Sequence, residues 1–161
     1  MDTGQDTGGN VHSKGATVIK EAKPVLDRLD EAECLRLISP GGVGRIAFVG
    51  SYDLTVLPVN YRLVNGMILF RTTEGGLTEE DLRTAIPHGE YRVAFEVDHL
   101  DEAAREGWSV LVRGPAHHLD ADDEVEAARL AGVTPWAVGE RNHFIRITPV
   151  RVTGRRVRNT T

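Results

Sequence analysis

Residues 57–73 read LPVNYRLVNGMILFRTT, and this stretch decides the fold. Leu57, Val59, Tyr61 and Leu63 fall on one face of an extended chain, with Asn60 and Arg62 on the other. Asn65-Gly66 follows, and then Met67 to Thr73. Both turn residues tolerate the positive φ of a type I′ turn, so the two runs predict antiparallel neighbours joined by a two-residue loop. Working outward, Val43–Val49 precedes them as a strand, separated from the long run Leu54–Val64 by a Gly50-Ser51-Tyr52-Asp53 turn. Downstream, Tyr91–Asp98 alternates with Tyr91, Val93, Phe95 and Val97 inward, and Trp108–Leu119 makes a fifth strand. Phe144–Val157 is the sixth, where Pro149 marks an edge or a bulge.

Short helices flank these strands. Asp30 with Glu33 forms a capping-box-like start for a helix through Ile38, which Ser39-Pro40-Gly41-Gly42 ends. Glu74–Gly89 is a connection with a helical turn or two from Thr78, and Asp120, Asp122, Asp123 and Glu124 open a helix through Leu130. The expected fold is mainly β with short α: a six-stranded antiparallel Greek-key split β-barrel with two to three short flanking helices. Residues 1–22 read as a disordered tail, 23–158 as the domain and 159–161 as a C-terminal tail. The 17 glycines among 161 residues disfavour a helical bundle and serve sharp chain reversals instead.

Charge and cysteine content exclude several classes. A net charge of −5 gives no concentrated positive field for nucleic acid. Cys34 is the single cysteine, which excludes an internal disulfide and a cysteine zinc cage. No apolar run approaches the roughly 20 residues of a membrane span, and no secretory signal opens the chain, so a cytoplasmic protein is expected by elimination. His117 and His118 are adjacent on a strand and point to opposite faces, so they cannot chelate one metal together. No histidine pair has metal-ligand spacing, no nucleophile elbow or Walker loop is present, and no catalytic side chain is assigned. Arginine is unevenly spread: residues 141–161 hold six and no acid, whereas residues 79–106 hold nine acids and three arginines.

The sharpest local signal is Phe70-Arg71-Thr72-Thr73 at a strand end, followed by Glu74-Gly75-Gly76. A guanidinium, two hydroxyls and glycines that admit close backbone approach together suit a phosphate monoester.

The ordered pieces LDEAECLRLISPGGVGRIAFV, LPVNYRLVNGMILFRT, VAFEVDHLD, GWSVLVRGPAHHL and FIRITPVRVTGRR span Leu29 to Arg156. In that order they resemble the pyridoxamine 5′-phosphate oxidase-like superfamily of flavin-binding split barrels. The resemblance implies a homodimer with FMN in two symmetric interface grooves. The strand Pro58-Val59-Asn60-Tyr61 would run beside the isoalloxazine ring, while Arg71 and Thr72, with Thr73 next to them, would hold the phosphate. Trp108 and Ser109 would lie near the same cofactor, often across the dimer. The flavin would carry the chemistry, making the protein an oxidoreductase that works on a small organic acceptor. One departure stands out: Leu77 occupies the place where many members carry a lysine. Its loss removes a charge-assisted contact of roughly 1.5–3 kcal/mol, with Arg83 or Arg155 as candidate substitutes. That departure motivates two alternatives on the same fold, a deazaflavin cofactor or haem. The lack of a side-chain acid or base motivates a third, a non-enzymatic flavin-binding sensor.

Overall fold

The alternation quoted above becomes a closed ring of strands. The computed structural model describes residues 23–50, 53–72, 91–136 and 143–160. The tail expected over 1–22, the helical turn expected from Thr78, and both Thr73 and Leu77 lie outside the described residues. Among those described, the strands are β1 (Lys23–Leu29), β2 (Gly42–Gly50), β3 (Asp53–Val64), β4 (Met67–Thr72), β5 (Tyr91–Asp101), β6 (Glu106–His118), β7 (His143–Ile147) and β8 (Arg151–Thr160). Helix α1 is Glu31–Ile38 and helix α2 is Asp122–Leu130.

Six strands close the barrel in the order β6-β5-β2-β3-β4-β7, with β7 pairing back onto β6. All these pairings are antiparallel. The turn at Asn65-Gly66 has φ of 50° and 76°, as a type I′ turn requires, and sets Val64 opposite Met67. Alternate residues then fill the interior: Ile46, Phe48, Tyr61, Phe70, Phe95, Val112 and Ile145 are buried in one cluster. Cys34 and Ile38 of α1 join it and close one end of the ring.

Local chemistry explains the helices. Asp30 caps α1 by accepting from the Glu33 N–H at 2.8 Å. The Glu33 carboxylate does not complete the capping box. It accepts from Arg36 Nε at 2.6 Å and from Arg156 Nη2 of β8 at 2.7 Å, tying the helix to the sheet. Helix α2 covers a second cluster of Leu69, Leu119, Ala128, Val133 and Phe144 on the outside of β4 and β7. Arg146 Nη1 donates to Glu124 Oε1 at 2.9 Å and fixes its first turn.

Two features differ from the sequence reading. The single strand expected over Phe144–Val157 divides at Thr148-Pro149-Val150, and its second half runs through Asn159 to Thr160, where a tail was expected. At the division Ala116 of β6 faces Ile147 and Arg113 faces Arg151, so Gly114 and Pro115 stand against three residues. The extra residue is a bulge, held by Thr148 N–H to Pro115 O at 3.0 Å and Val150 N–H to Arg113 O at 2.9 Å. It bends the strand so that β7 reaches β4 while β8 continues along β6. The second difference is β1, which pairs with β8 from Lys23↔Thr160 to Leu29↔Gly154 and extends the sheet beyond the ring.

Candidate functional site

The barrel has an opening between β3 and β4. Their ladder covers only Tyr61–Val64 against Met67–Phe70. Carried two residues further, the same register would set Asn60 opposite Arg71 and Val59 opposite Thr72. Among the described residues it stops, leaving Asp53–Asn60 paired with β2 alone and Arg71 and Thr72 paired with β7 alone.

The segment leaving α2 lies across this opening and touches both sides of it. The Trp136 N–H donates to Asn60 Oδ1 at 2.9 Å, and Arg71 Nη1 donates to the Val133 carbonyl at 3.3 Å. The Arg71 guanidinium also sits 5.2 Å from the centre of the Phe144 ring. Beside the segment, Pro40, Gly41, Asn60, Arg62, Thr134 and Trp136 enclose a recess of 240 Å³. The Trp136 side of it is open to solvent, that residue being 81% exposed.

This arrangement offers a fixed cation, an amide, an exposed indole and a strand edge free of β4. Those are the means to hold a flat ring by its polar margin and an anion by its charge. Among the described residues lining the recess, Tyr61 and Arg62 are the titratable side chains, and the Tyr61 hydroxyl points away to the Ile38 carbonyl, 2.8 Å distant. Burial pushes that phenol up to about 12, so it stays protonated in any ordinary buffer.

The residues singled out in the sequence divide into groups. Asn60 and Arg71 meet at the opening, and Thr72 is buried beside Arg71. Val59 and Tyr61 face the barrel interior, so only their backbone faces the split. Pro58 lies exposed on the outer face, opposite Arg45. Trp108 packs on the core and stacks against His99, with ring centres 6.3 Å apart. Ser109 points to the outer face between Asp98 and Arg155. Both sit on the part of β6 that pairs with β5 and β8, seven or more residues before the Ala116–His118 stretch that meets β7, the strand paired with Arg71. Sequence reasoning missed Val133–Trp136, whose one mark is Pro135-Trp136 within an uncharged stretch.

Comparison with known proteins now separates one fold family from the many that use small barrels. A family model described as pyridoxamine 5′-phosphate oxidase matches residues 30–156. The chain belongs to that family. The matched span holds every strand of the ring and the segment across the split. Among relatives of this pyridoxamine 5′-phosphate oxidase family member, the uncharacterised protein Rv0080 of Mycobacterium tuberculosis is 32% identical over 138 residues, covering 86% of this chain and 89% of that protein. A solved pyridoxamine 5′-phosphate oxidase-like protein from Corynebacterium glutamicum superposes with a TM-score of 0.70 at 28% identity, covering 84% of this chain and 96% of that one. The FAD binding protein from Mycobacterium smegmatis gives 0.64 at 31% identity, with 82% and 100% covered.

Proposed function

We propose that this member of the pyridoxamine 5′-phosphate oxidase family binds FMN at the split and acts as a homodimeric, cytoplasmic oxidoreductase on a small organic acceptor. The observation that carries the reading is the interrupted β3–β4 ladder, with Asn60 and Arg71 on its two sides. The FAD-binding relative from M. smegmatis supports a flavin in general. When bound, FMN would supply the electron-transfer chemistry. The chain binds and orients it: Arg71 and Thr72, continued by Thr73, for the phosphate, and Asn60 with the backbone of Pro58–Tyr61 for the ring margin. A guanidinium already held in place by Val133 and Phe144 is pre-organised for phosphate oxygens.

The homodimer rests on a separate observation. Val49, Leu54 and Val56 are 56%, 80% and 62% exposed, and the registers Val49↔Leu54 and Ala47↔Val56 put them side by side on the outer face of β2 and β3. A contiguous apolar patch of this kind gains about 25 cal/mol per Å² when a second copy covers it. A second copy is also the means of bringing Trp108 and Ser109 to a cofactor that Arg71 holds. Consistent with a protein acting in the cytoplasm, no helix among the described residues is long and apolar enough to cross a membrane.

Visible absorbance during titration with FMN tests the reading directly. The expected result is a saturable red shift and fine structure in the flavin band, at one FMN per chain. A protein that leaves the FMN spectrum unchanged refutes it, and tighter binding of a deazaflavin than of FMN replaces the cofactor while keeping the site.

A further inference from the structure

Between α2 and the outer face of β4 and β7, at the end nearer the Asn65-Gly66 hairpin, lies a pocket of 160 Å³. Leu69, Leu119 and Ala128 are its buried members, Val64 and Met67 are half-buried, and Ala127 is exposed on the helix at its mouth. The gap arises because α2 presents Ala127 and Ala128 here, two methyl groups where larger side chains would meet the strands. Protein interiors are otherwise close-packed, with few voids larger than a water molecule.

Arg146 supplies the polar part of this pocket. Its neighbours Ile145 and Ile147 point into the barrel, so Arg146 points outward beneath α2, directly across from Leu69. Its Nη1 donates to Glu124 Oε1 at 2.9 Å, which balances the guanidinium charge. Its Nε is buried and has no acceptor among the described residues. A buried donor without an acceptor is rare in folded proteins, because it gives up its bond to water and gains none in return. The other polar residues of the pocket are Asn65 and Glu124. Glu124 is engaged by Nη1, and its charge repels a second anion from the same guanidinium. The pocket therefore lacks a neutral oxygen acceptor at Nε, carried on an apolar body.

We infer that this pocket binds a small neutral carbonyl compound, one apolar ring or branched chain whose oxygen accepts from Arg146 Nε. An apolar cavity of about 150 Å³ takes a single benzene ring, which sets the size of the apolar body. Met67 has an unbranched, flexible side chain and adapts to the outline of the guest. The site does not rest on the flavin reading. Arg71 shares the outer face of β4 with Leu69, but neither Arg71 nor Asn60 lines the pocket.

Acetophenone and α-methylstyrene are matched probes, alike in shape, with a methylene in the second where the first has its oxygen. Protein-observed NMR titration of the full chain with acetophenone is expected to give saturable shifts at Leu69, Leu119 and Ala128. α-Methylstyrene is expected to bind about tenfold more weakly, having no acceptor for Nε. Arg146→Met is expected to abolish that difference. Ala127→Leu places a strong helix former at an exposed helical position, where it fills the mouth, and is expected to abolish binding of both probes. This second variant keeps the inference testable should Arg146→Met fail to fold. Absence of any saturable shift with acetophenone overturns the assignment, as does equal affinity of the wild type for the two probes, which would leave Nε to water. Binding that survives Ala127→Leu places the ligand elsewhere and overturns it too. Tighter binding of benzoate than of acetophenone would make this an anion site and has the same effect. FMN binding by the same variants is read separately, so failure of the flavin reading leaves these outcomes intact.

Discussion

Arg71 and Glu33 show how much a single charged side chain depends on where the backbone delivers it. Arg71 is aimed by the Val133 carbonyl across the split and by the ring of Phe144, its neighbour on β7, so on the proposed reading its replacement by alanine removes a charge-assisted contact to the FMN phosphate and little of the fold. We expect Arg71→Ala to weaken FMN binding by roughly tenfold to a hundredfold, equivalent to about 1.5–3 kcal/mol, with a melting temperature close to wild type. Glu33 acts on stability instead. Hydrogen bonds from Arg36 and then Arg156 hold its carboxyl down to about 2 from the ordinary 4.5. The folded state thus favours the carboxylate. Its contribution is complete above the unfolded value of 4.5 and is lost as the pH falls toward 2. Thermal melts of wild type and Glu33→Gln are expected to differ at neutral pH and to converge across that acid window. The sequence marks both residues, Arg71 by its hydroxylated neighbours and Glu33 by its spacing from Asp30. What it does not show is that Glu33 reaches β8, because Arg156 is 123 residues away.

At the scale of elements, α1 sits against β8 because β8 has a glycine beneath it. A Cβ on Gly154 would come within 2.5 Å of Cys34 Sγ and 3.2 Å of the Ser109 carbonyl. Gly154→Ala therefore overpacks the helix–sheet contact and is expected to cost about 1–3 kcal/mol in denaturant unfolding. Adding Cys34→Ala frees space for the new methyl, so the double variant is expected to be less destabilised than the two single effects summed. The strands that alternate over a long run, such as Tyr91–Val97, were legible because each buries one face. β1 was not, and for a physical reason: five of its seven residues are exposed, so KPVLDRL carries no inward stripe. It is a strand because β8 offers an edge to pair with. Val133–Trp136 was hidden in the same way, since it follows no period and is placed by two hydrogen bonds, to Asn60 and from Arg71.

For the whole molecule, closure and division come from one segment. The Asn65-Gly66 hairpin and the alternating strands pointed to a small antiparallel barrel, and Pro149 pointed to an irregularity in the last strand. Where the ring opens was not legible, because the β3–β4 ladder ends without any change in residue pattern at Asn60 or Arg71. The apolar patch of Val49, Leu54 and Val56 lies outside the ring's core, on the face that the proposed dimer would cover. Val56→Glu is expected to shift the protein from dimer to monomer in sedimentation and to weaken FMN binding with it, while the far-ultraviolet spectrum of the strands is retained.

The pairing of Lys23 with Thr160 has a mechanical consequence. These two residues are cross-strand neighbours about 5 Å apart, and β1 and β8 run away from them side by side. A force applied between the two would load the β1–β8 ladder one rung at a time, as a zipper, rather than all seven rungs together in shear. The wing would peel from its end at low force, while the ring, whose strands are loaded only after β8 gives way, would stay shut.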